Sequence, residues 1–366
     1  MTTTSFDHAI IGGGLIGLLC ARELAIAGQS VVVIDKGQCG HESSWAGGGI
    51  LSPLYPWRYP VAVNQLAKWS QQHYQSFCQT LLSETGIDPE WTRSGILLLD
   101  ANEQDNATTW AHDYGASTKV FDVKEIKAIE PSLADGISSK AILFDDVAQV
   151  RNPRLLAALK ASVLQLGVEL RENCPVQAFN PGSKGINTLK TSQGEIRAGQ
   201  YLLASGAWSG ELASLLNLSL PIKPVKGQML LYRAAPGYLK HILMHQGHYL
   251  IPRRDGRILV GSTLEDVGFD KQSTDHARKE LESVALAMLP GLSSFDIEAH
   301  WAGLRPGSTN NGIPYIGRHP VYENVYVNSG HFRNGVVLGL ASANLFLDLI
   351  LDQKPIVDPL AYQLLD

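Results

Sequence analysis

An α/β fold built on a parallel sheet is what this sequence predicts, and three observations predict it. Strand-like and helix-like segments alternate from the beginning of the chain. A glycine-rich turn separates the first strand from the first helix. The composition is that of a compact chain: of 366 residues 45% are hydrophobic, 18% charged and 35 are glycine. Such a chain buries a sizeable core, and a disordered or coiled-coil protein is excluded.

Residues 7–11 (DHAII) read as a buried strand, and 14–27 carry apolar positions at helical spacing up to Gly28, a stop. The β-branched run 31–34 (VVVI) is a second strand, and the amphipathic stretch 61–83 a long helix. A short strand at 95–99 precedes a helix at 123–130, started by the capping pair Asp122 and Glu125, with a turn at Asp145-Asp146. Asn152-Pro153 opens another helix that ends at Gly167, and strands come next at 168–171, 175–179 and 201–204. Strand-like runs fill 222–262, with Arg254-Asp255-Gly256 as a tight hairpin. A helix at 274–289 stops at Pro290-Gly291, and the last helix spans 335–351.

The chemistry begins at Gly12-x-Gly14-x-x-Gly17, which lies between a strand and a helix, the setting this fingerprint needs. Gly12 permits the tight turn, Gly14 leaves room for a pyrophosphate, and Gly17 lets helix and strand pack closely. The helix N-terminus, with its free N–H groups and partial positive charge, holds the phosphates. Asp35, at the end of the second strand, offers a carboxylate to the ribose hydroxyls of an AMP moiety. Together these features predict a Rossmann-type dinucleotide-binding domain.

Two segments outside the fingerprint distinguish one dinucleotide from another. Residues 42–50 (ESSWAGGGI) place small side chains just past Asp35, where a nicotinamide enzyme would continue its sheet. At the far end, residues 330–335 (GHFRNG) lead directly into the last helix, whose N-terminus suits the electron-rich edge of a reduced flavin. Both features favour FAD.

Other classes find little support. The net charge of −5 comes without any Lys/Arg run, so neither nucleic acid nor an anionic membrane is an expected partner. Cys20, Cys39, Cys78 and Cys174 form no C-x-x-C pair and read as unpaired thiols of a reducing compartment. The apolar run from Ala9 meets Arg22 too soon and is too glycine-broken to span a bilayer. A soluble, cytoplasmic protein without a metal site is expected.

Eight stretches, in order along the chain, carry a resemblance. They are IIGGGLIG (10–17), SSWAGGGIL (43–51), LLASGAWS (202–209), PVKGQ (224–228), HYLIPR (248–253), WAGLRPG (301–307), PYIGRHP (314–320) and GHFRNGVVL (330–338). In these the chain resembles the D-amino-acid-oxidase-like FAD-dependent oxidoreductases. The resemblance implies non-covalent FAD and two domains: an FAD-binding domain of 1–85, 146–221 and 305–366, and a discontinuous substrate-binding domain of 86–145 and 222–304 on a mostly antiparallel sheet. It assigns to the cofactor Gly12, Gly14, Leu15, Ile16, Gly17, Asp35, Lys36, Ser43, Ser44, Gly48, Gly49 and Ile50. To these it adds Val176 through its backbone, Gly206, Trp208, and the turn His331, Phe332, Arg333, Asn334, Gly335, Val336 and Val337. Two departures stand out: Asp35 where the family often has glutamate, and Trp45 where it has a small residue.

For an amino-acid substrate, Arg305 is the first candidate, because its planar fork grips a carboxylate through two parallel bonds. Tyr249 can donate its hydroxyl to the same carboxylate, and Arg333 can close the pocket. His331 either assists there or caps the last helix. The resemblance implies oxidation of glycine, sarcosine or small D-amino acids, with molecular oxygen as acceptor and peroxide released. In the bacterial branch serving thiamine synthesis the product is a glycine imine. It also implies a homo-oligomer, possibly a tetramer. A dehydrogenase using another acceptor and a non-catalytic flavin subunit are the alternative readings.

Overall fold

A computed structural model describes residues 5–364; the outermost residues of the expected segments 1–85 and 305–366 lie outside that range. Two eight-stranded sheets organise the chain. The first runs Tyr315–Arg318, Val325–Ser329, Gly194–Leu203, Ser5–Ile11, Val31–Ile34, Glu169–Arg171. All its neighbours along this path are parallel except the edge pair of Tyr315–Arg318 with Val325–Ser329.

Period-2 alternation sends its side chains into two cores. Ile10, Val31 and Val33 pack under the helices Leu15–Ile26, Val61–Thr85, Asn152–Gln165 and Gly335–Ile350. Ala9, Ile11, Val32 and Ile34 face the opposite way, with Phe179, Ile186 and Leu189. Those three belong to an antiparallel ribbon, Val176–Pro181 and Ile186–Thr191, which folds onto the start of Gly194–Leu203. The Rossmann-type fold predicted from the alternation is present.

The second sheet is antiparallel at every pairing but one, Ile242–His245 beside Ile96–Leu98. The hairpin between His248–Pro252 and Arg257–Gly261 closes as expected, with Gly256 at φ 89° and Arg253 N–H donating to the Arg257 carbonyl at 2.8 Å. Asp122 and Glu125 form the expected reciprocal cap.

The structure also contains elements that the sequence does not announce: the helix Gln104–Tyr114, the strands Ile186–Thr191 and Lys140–Phe144, and the long strand Ile297–Ser308. Ile297–Ser308 lies at the edge of its sheet, where Pro306 costs no ladder bond. The strand expected at 201–204 begins earlier, at Gly194.

The segment Phe332–Ile350 is long and apolar enough to cross a membrane by length and composition, yet 61% of its window is buried. Leu338, Ala341, Leu345 and Phe346 pack into the helical core, which is the environment of an internal helix. All four cysteines are buried and unpaired.

The contact that seats the first helix on the sheet is between bare backbones. A Cβ at Gly17 would overlap the Gly12 carbonyl oxygen and sit 3.3 Å from Ile10 Cγ2. Gly17→Ala is therefore expected to lift the helix from the strand, lowering the thermal midpoint by several degrees and releasing flavin. A thermal melt with absorbance at the flavin band tests this; an equally stable, equally yellow variant would contradict it.

Candidate active site

A cavity of about 620 Å³ opens where the parallel strands end, at the point where the chain turns to opposite sides of Ser5–Ile11. Its floor is made of glycine. Gly12 sits at φ 113°, and a Cβ there would lie 2.7 Å from the Ala204 carbonyl carbon. Gly14 precedes the first helix in extended conformation, with no side-chain cap and no acidic residue in the first turn. Such an end favours an anion. Ser44 Oγ reaches over from the facing segment and accepts the Leu15 N–H at 2.9 Å.

Asp35 lies on the cavity wall, its carboxylate held by N–H groups of Gly13 and Gly37, both at 2.8 Å. Each oxygen accepts one of these bonds and keeps a further lone pair for a hydroxyl. Beside it Lys36 Nζ lies 3.2 Å over the Trp208 ring, whose other neighbour is Phe269, stacked at 5.3 Å between centroids. Burial lowers the Lys36 pKa.

Leu15, Ile16, Ser43, Gly48, Gly49, Ile50, Val176 and Gly206 complete this part of the wall. The strip 47–49 is fixed from behind: a Cβ on Gly48 would meet Ile251 Cδ1 at 2.8 Å, and Gly49 takes φ 77°. From the far end of the sequence come His331, Phe332, Arg333, Gly335 and Val336, with Phe332 in the left-handed region. Tyr74 clamps this turn by donating its hydroxyl to the Val336 carbonyl at 2.5 Å.

Three expected residues do not reach the cavity. Gly17 acts through packing, Val337 turns into the helical core, and Asn334 is buried beside the wall. The His331 side chain makes no cap bond. Its Nε2 lies 2.9 Å from Ser342 Oγ, and burial pushes its pKa down to about 3, so the ring is neutral. Trp45 does not line the cavity and stands edge-on to Trp301 at 5.4 Å.

At the other end of the cavity Arg305, Tyr249 and Arg333 converge. Arg305 stands opposite Val225 in the sheet, and its guanidinium rests on the bare backbone of Gly227, filling the space a Cβ would need. It donates to Ser262 Oγ at 2.8 Å and to the Thr263 carbonyl at 3.2 Å. Both are neutral, and no ion pair joins Arg305 to a carboxylate among the described residues. Burial lowers its pKa, Tyr249 opposes that shift and Arg333 adds to it.

Tyr249 is wedged between Gly48 and Gly261, its hydroxyl 3.6 Å from Met229 Sδ. Arg333 reaches the Gly247 carbonyl at 3.4 Å. Gly227, Gly303, Met229, Ser262 and Thr263 were not identified from sequence. Cross-strand register places the first three, pairing Gly227 with Gly303 and Met229 with both Trp301 and Gly261, while Ser262 and Thr263 follow the strand outside the ladder.

The cavity fits a dinucleotide: a glycine cradle and helix end for the pyrophosphate, a carboxylate for the ribose, and a glycine-walled section leading to the arginines. A family model described as FAD dependent oxidoreductase (DAO) matches residues 7–349. The chain belongs to this family. It is 48% identical to a glycine oxidase of Pseudomonas aeruginosa over 96% of this chain and 97% of that one. It is 34% identical to the bifunctional protein ThiO/ThiG of a Synechocystis species, across 99% of this chain and 54% of that protein. The crystal structure of glycine oxidase from Geobacillus kaustophilus superposes with a TM-score of 0.93 at 29% identity, covering 99% of each chain. This DAO-family member is thus an enzyme and its cofactor is FAD. Among the described residues no cluster of His, Cys, Asp or Glu is arranged to hold a metal.

Two outcomes are expected. Asp35→Ala removes the acceptor for Gly13 and Gly37 and the carboxylate expected to meet the ribose, so the FAD dissociation constant should rise by roughly tenfold or more, read by flavin fluorescence. Unchanged retention would remove Asp35 from the site. His331 has a folded pKa below its ordinary 6.5, so the unfolded state takes up the proton first as pH falls. Its contribution to stability is full above pH 6.5 and declines toward pH 3. Denaturant unfolding between pH 7 and 4 should show that decline in the wild type and a flatter profile in His331→Gln; identical profiles would exclude His331 as the source.

Proposed function

We propose that this enzyme catalyses oxidative deamination of glycine and other small amines, among them sarcosine and small D-amino acids. It would release an imine or 2-oxo acid, ammonia and hydrogen peroxide. One observation carries the reading: Arg305, half-buried in the cavity wall, spends its bonds on two neutral acceptors and leaves the rest of its fork free for a carboxylate. The name shared by its relatives supports glycine as substrate.

Arg305 grips the substrate carboxylate, and the two-point contact fixes the rotation of the molecule as well as its position. Tyr249 donates its hydroxyl to the same group. Arg333 adds a second positive charge that favours an anion at this end and disfavours a charged ammonium, so the amine is held neutral, as oxidation at Cα requires. Met229 and Gly48 line the wall beside Tyr249 and make that face of the cavity apolar. When bound, FAD would supply the acceptor for the hydride from Cα, with molecular oxygen as the final electron acceptor. Gly12, Gly14, Asp35, Ser44, His331, Phe332, Arg333, Gly335 and Val336 would hold the cofactor. No strong general base is required. We further propose that the substrate domain comprises 86–145 and 222–304, and that the imine enters thiazole assembly for thiamine; the matched half of the ThiO/ThiG protein supports the latter.

The test is the visible spectrum of the holoenzyme mixed with glycine without oxygen and then aerated. Bleaching, recovery and peroxide are expected. Reoxidation by an artificial acceptor but not by oxygen would replace the oxidase with a dehydrogenase, and a flavin that no amine bleaches would leave a non-catalytic subunit. Arg305→Leu should raise KM by roughly 10- to 100-fold, the size of a lost charge-assisted pair, with FAD content intact. Unchanged kinetics would remove Arg305 from the site.

A further inference from the structure

The orientation of Arg305 is set by two residues, Ser262 and Thr263, that come after the strand Arg257–Gly261 and belong to no ladder. Something else must fix them. Thr263 Oγ1 donates to Glu265 Oε1 at 2.5 Å and accepts the Gln228 N–H at 3.0 Å. Glu265 Oε1 also accepts Gln228 Nε2 at 2.8 Å, and its Oε2 lies 3.2 Å from Lys226 Nζ. The backbones of Lys226 and Glu265 exchange two hydrogen bonds of 2.9 Å.

Lys226 is 1% exposed, and its remaining partners are Asp270 at 3.4 Å and the Gln272 carbonyl at 3.2 Å. Along the strand Ile222–Arg233 the odd positions Gly227 and Met229 line the cavity, while Lys226 and Gln228 do not. Alternation puts them on the other face. The strand thus carries the floor under Arg305 on one side and an ion pair on the other.

A lysine buried beside partly exposed carboxylates is a poor way to gain stability, because its own desolvation offsets most of the attraction. Apolar residues would fill the space as well. They would not supply the acceptor that Thr263 and Gln228 share.

We propose that Glu265, held by Lys226, is a positioning residue that locks Thr263 and thereby orients the Arg305 guanidinium toward the substrate carboxylate. This rests on the reading of Arg305 as the carboxylate anchor. Glu265 touches neither substrate nor cofactor, and its effect is on affinity.

The test uses the flavin-loaded full chain. Acetate, a carboxylate without an amine, is titrated while the flavin spectrum is monitored, and KM and kcat for glycine are measured alongside. Wild type should bind acetate and Arg305→Leu should not; equal binding by both overturns the anchor and the positioning role together. With the anchor in place, Glu265→Ala and Thr263→Val should each raise the acetate Kd and the KM about tenfold, with kcat within about twofold and FAD affinity unchanged. Glu265→Gln keeps an acceptor oxygen and should return both constants to within about threefold of wild type. Should Glu265→Ala fail to fold, Thr263→Val decides. Variants that melt earlier yet bind acetate like wild type would make the network structural only and overturn the proposal while sparing the anchor.

Discussion

Everything in this molecule is arranged around a place where main chains touch with no side chain between them. Gly17 lies against the carbonyl of Gly12, and Gly12 against Ala204 of the neighbouring strand. The contact brings a helix N-terminus to the C-terminal edge of the sheet, beside the carboxylate of Asp35. The Asp35 oxygens are spread between Gly13 and Gly37, so turn and strand end move as one piece. The positive end of a helix and an acceptor for hydroxyls are thereby fixed a few ångströms apart, which is the spacing within one nucleotide.

The same device recurs at the arginine end of the cavity with different chemistry. Gly227 removes a side chain so that a guanidinium can lie on the strand, and Gly48 and Gly261 do the same for the ring of Tyr249. A cation in such a position costs desolvation, which its neutral acceptors only partly return. An anion at this end would offset that cost.

Much of this was legible in the sequence, and the limits have physical causes. The fingerprint, VVVI and Asp35 are local signals: contacts within some thirty residues dictate residue types that nothing else would select. The caps at Asp122 and Glu125, the stop at Gly28 and the hairpin at Gly256 are equally local. Ile297–Ser308 carried no such signal, because an edge strand tolerates proline and small residues that look like a loop. Val337 and Asn334 sit in a segment that lines the cavity, and sequence alone does not tell which face of a helical turn points inward. Arg305 was legible through resemblance, whereas its seat on Gly227 and its acceptors depend on strand register. Register is a property of two distant segments at once.

The wall of the cavity is completed by residues 331–336, about three hundred positions after the turn that begins it. Tyr74 and Ser70, on the helix Val61–Thr85, are the groups that receive this late segment, at Val336 and Ala341. The late helix is therefore as much a part of the cavity as the fingerprint that opens the chain. A chain shortened before residue 330 keeps the fingerprint and loses the turn that closes the wall around it.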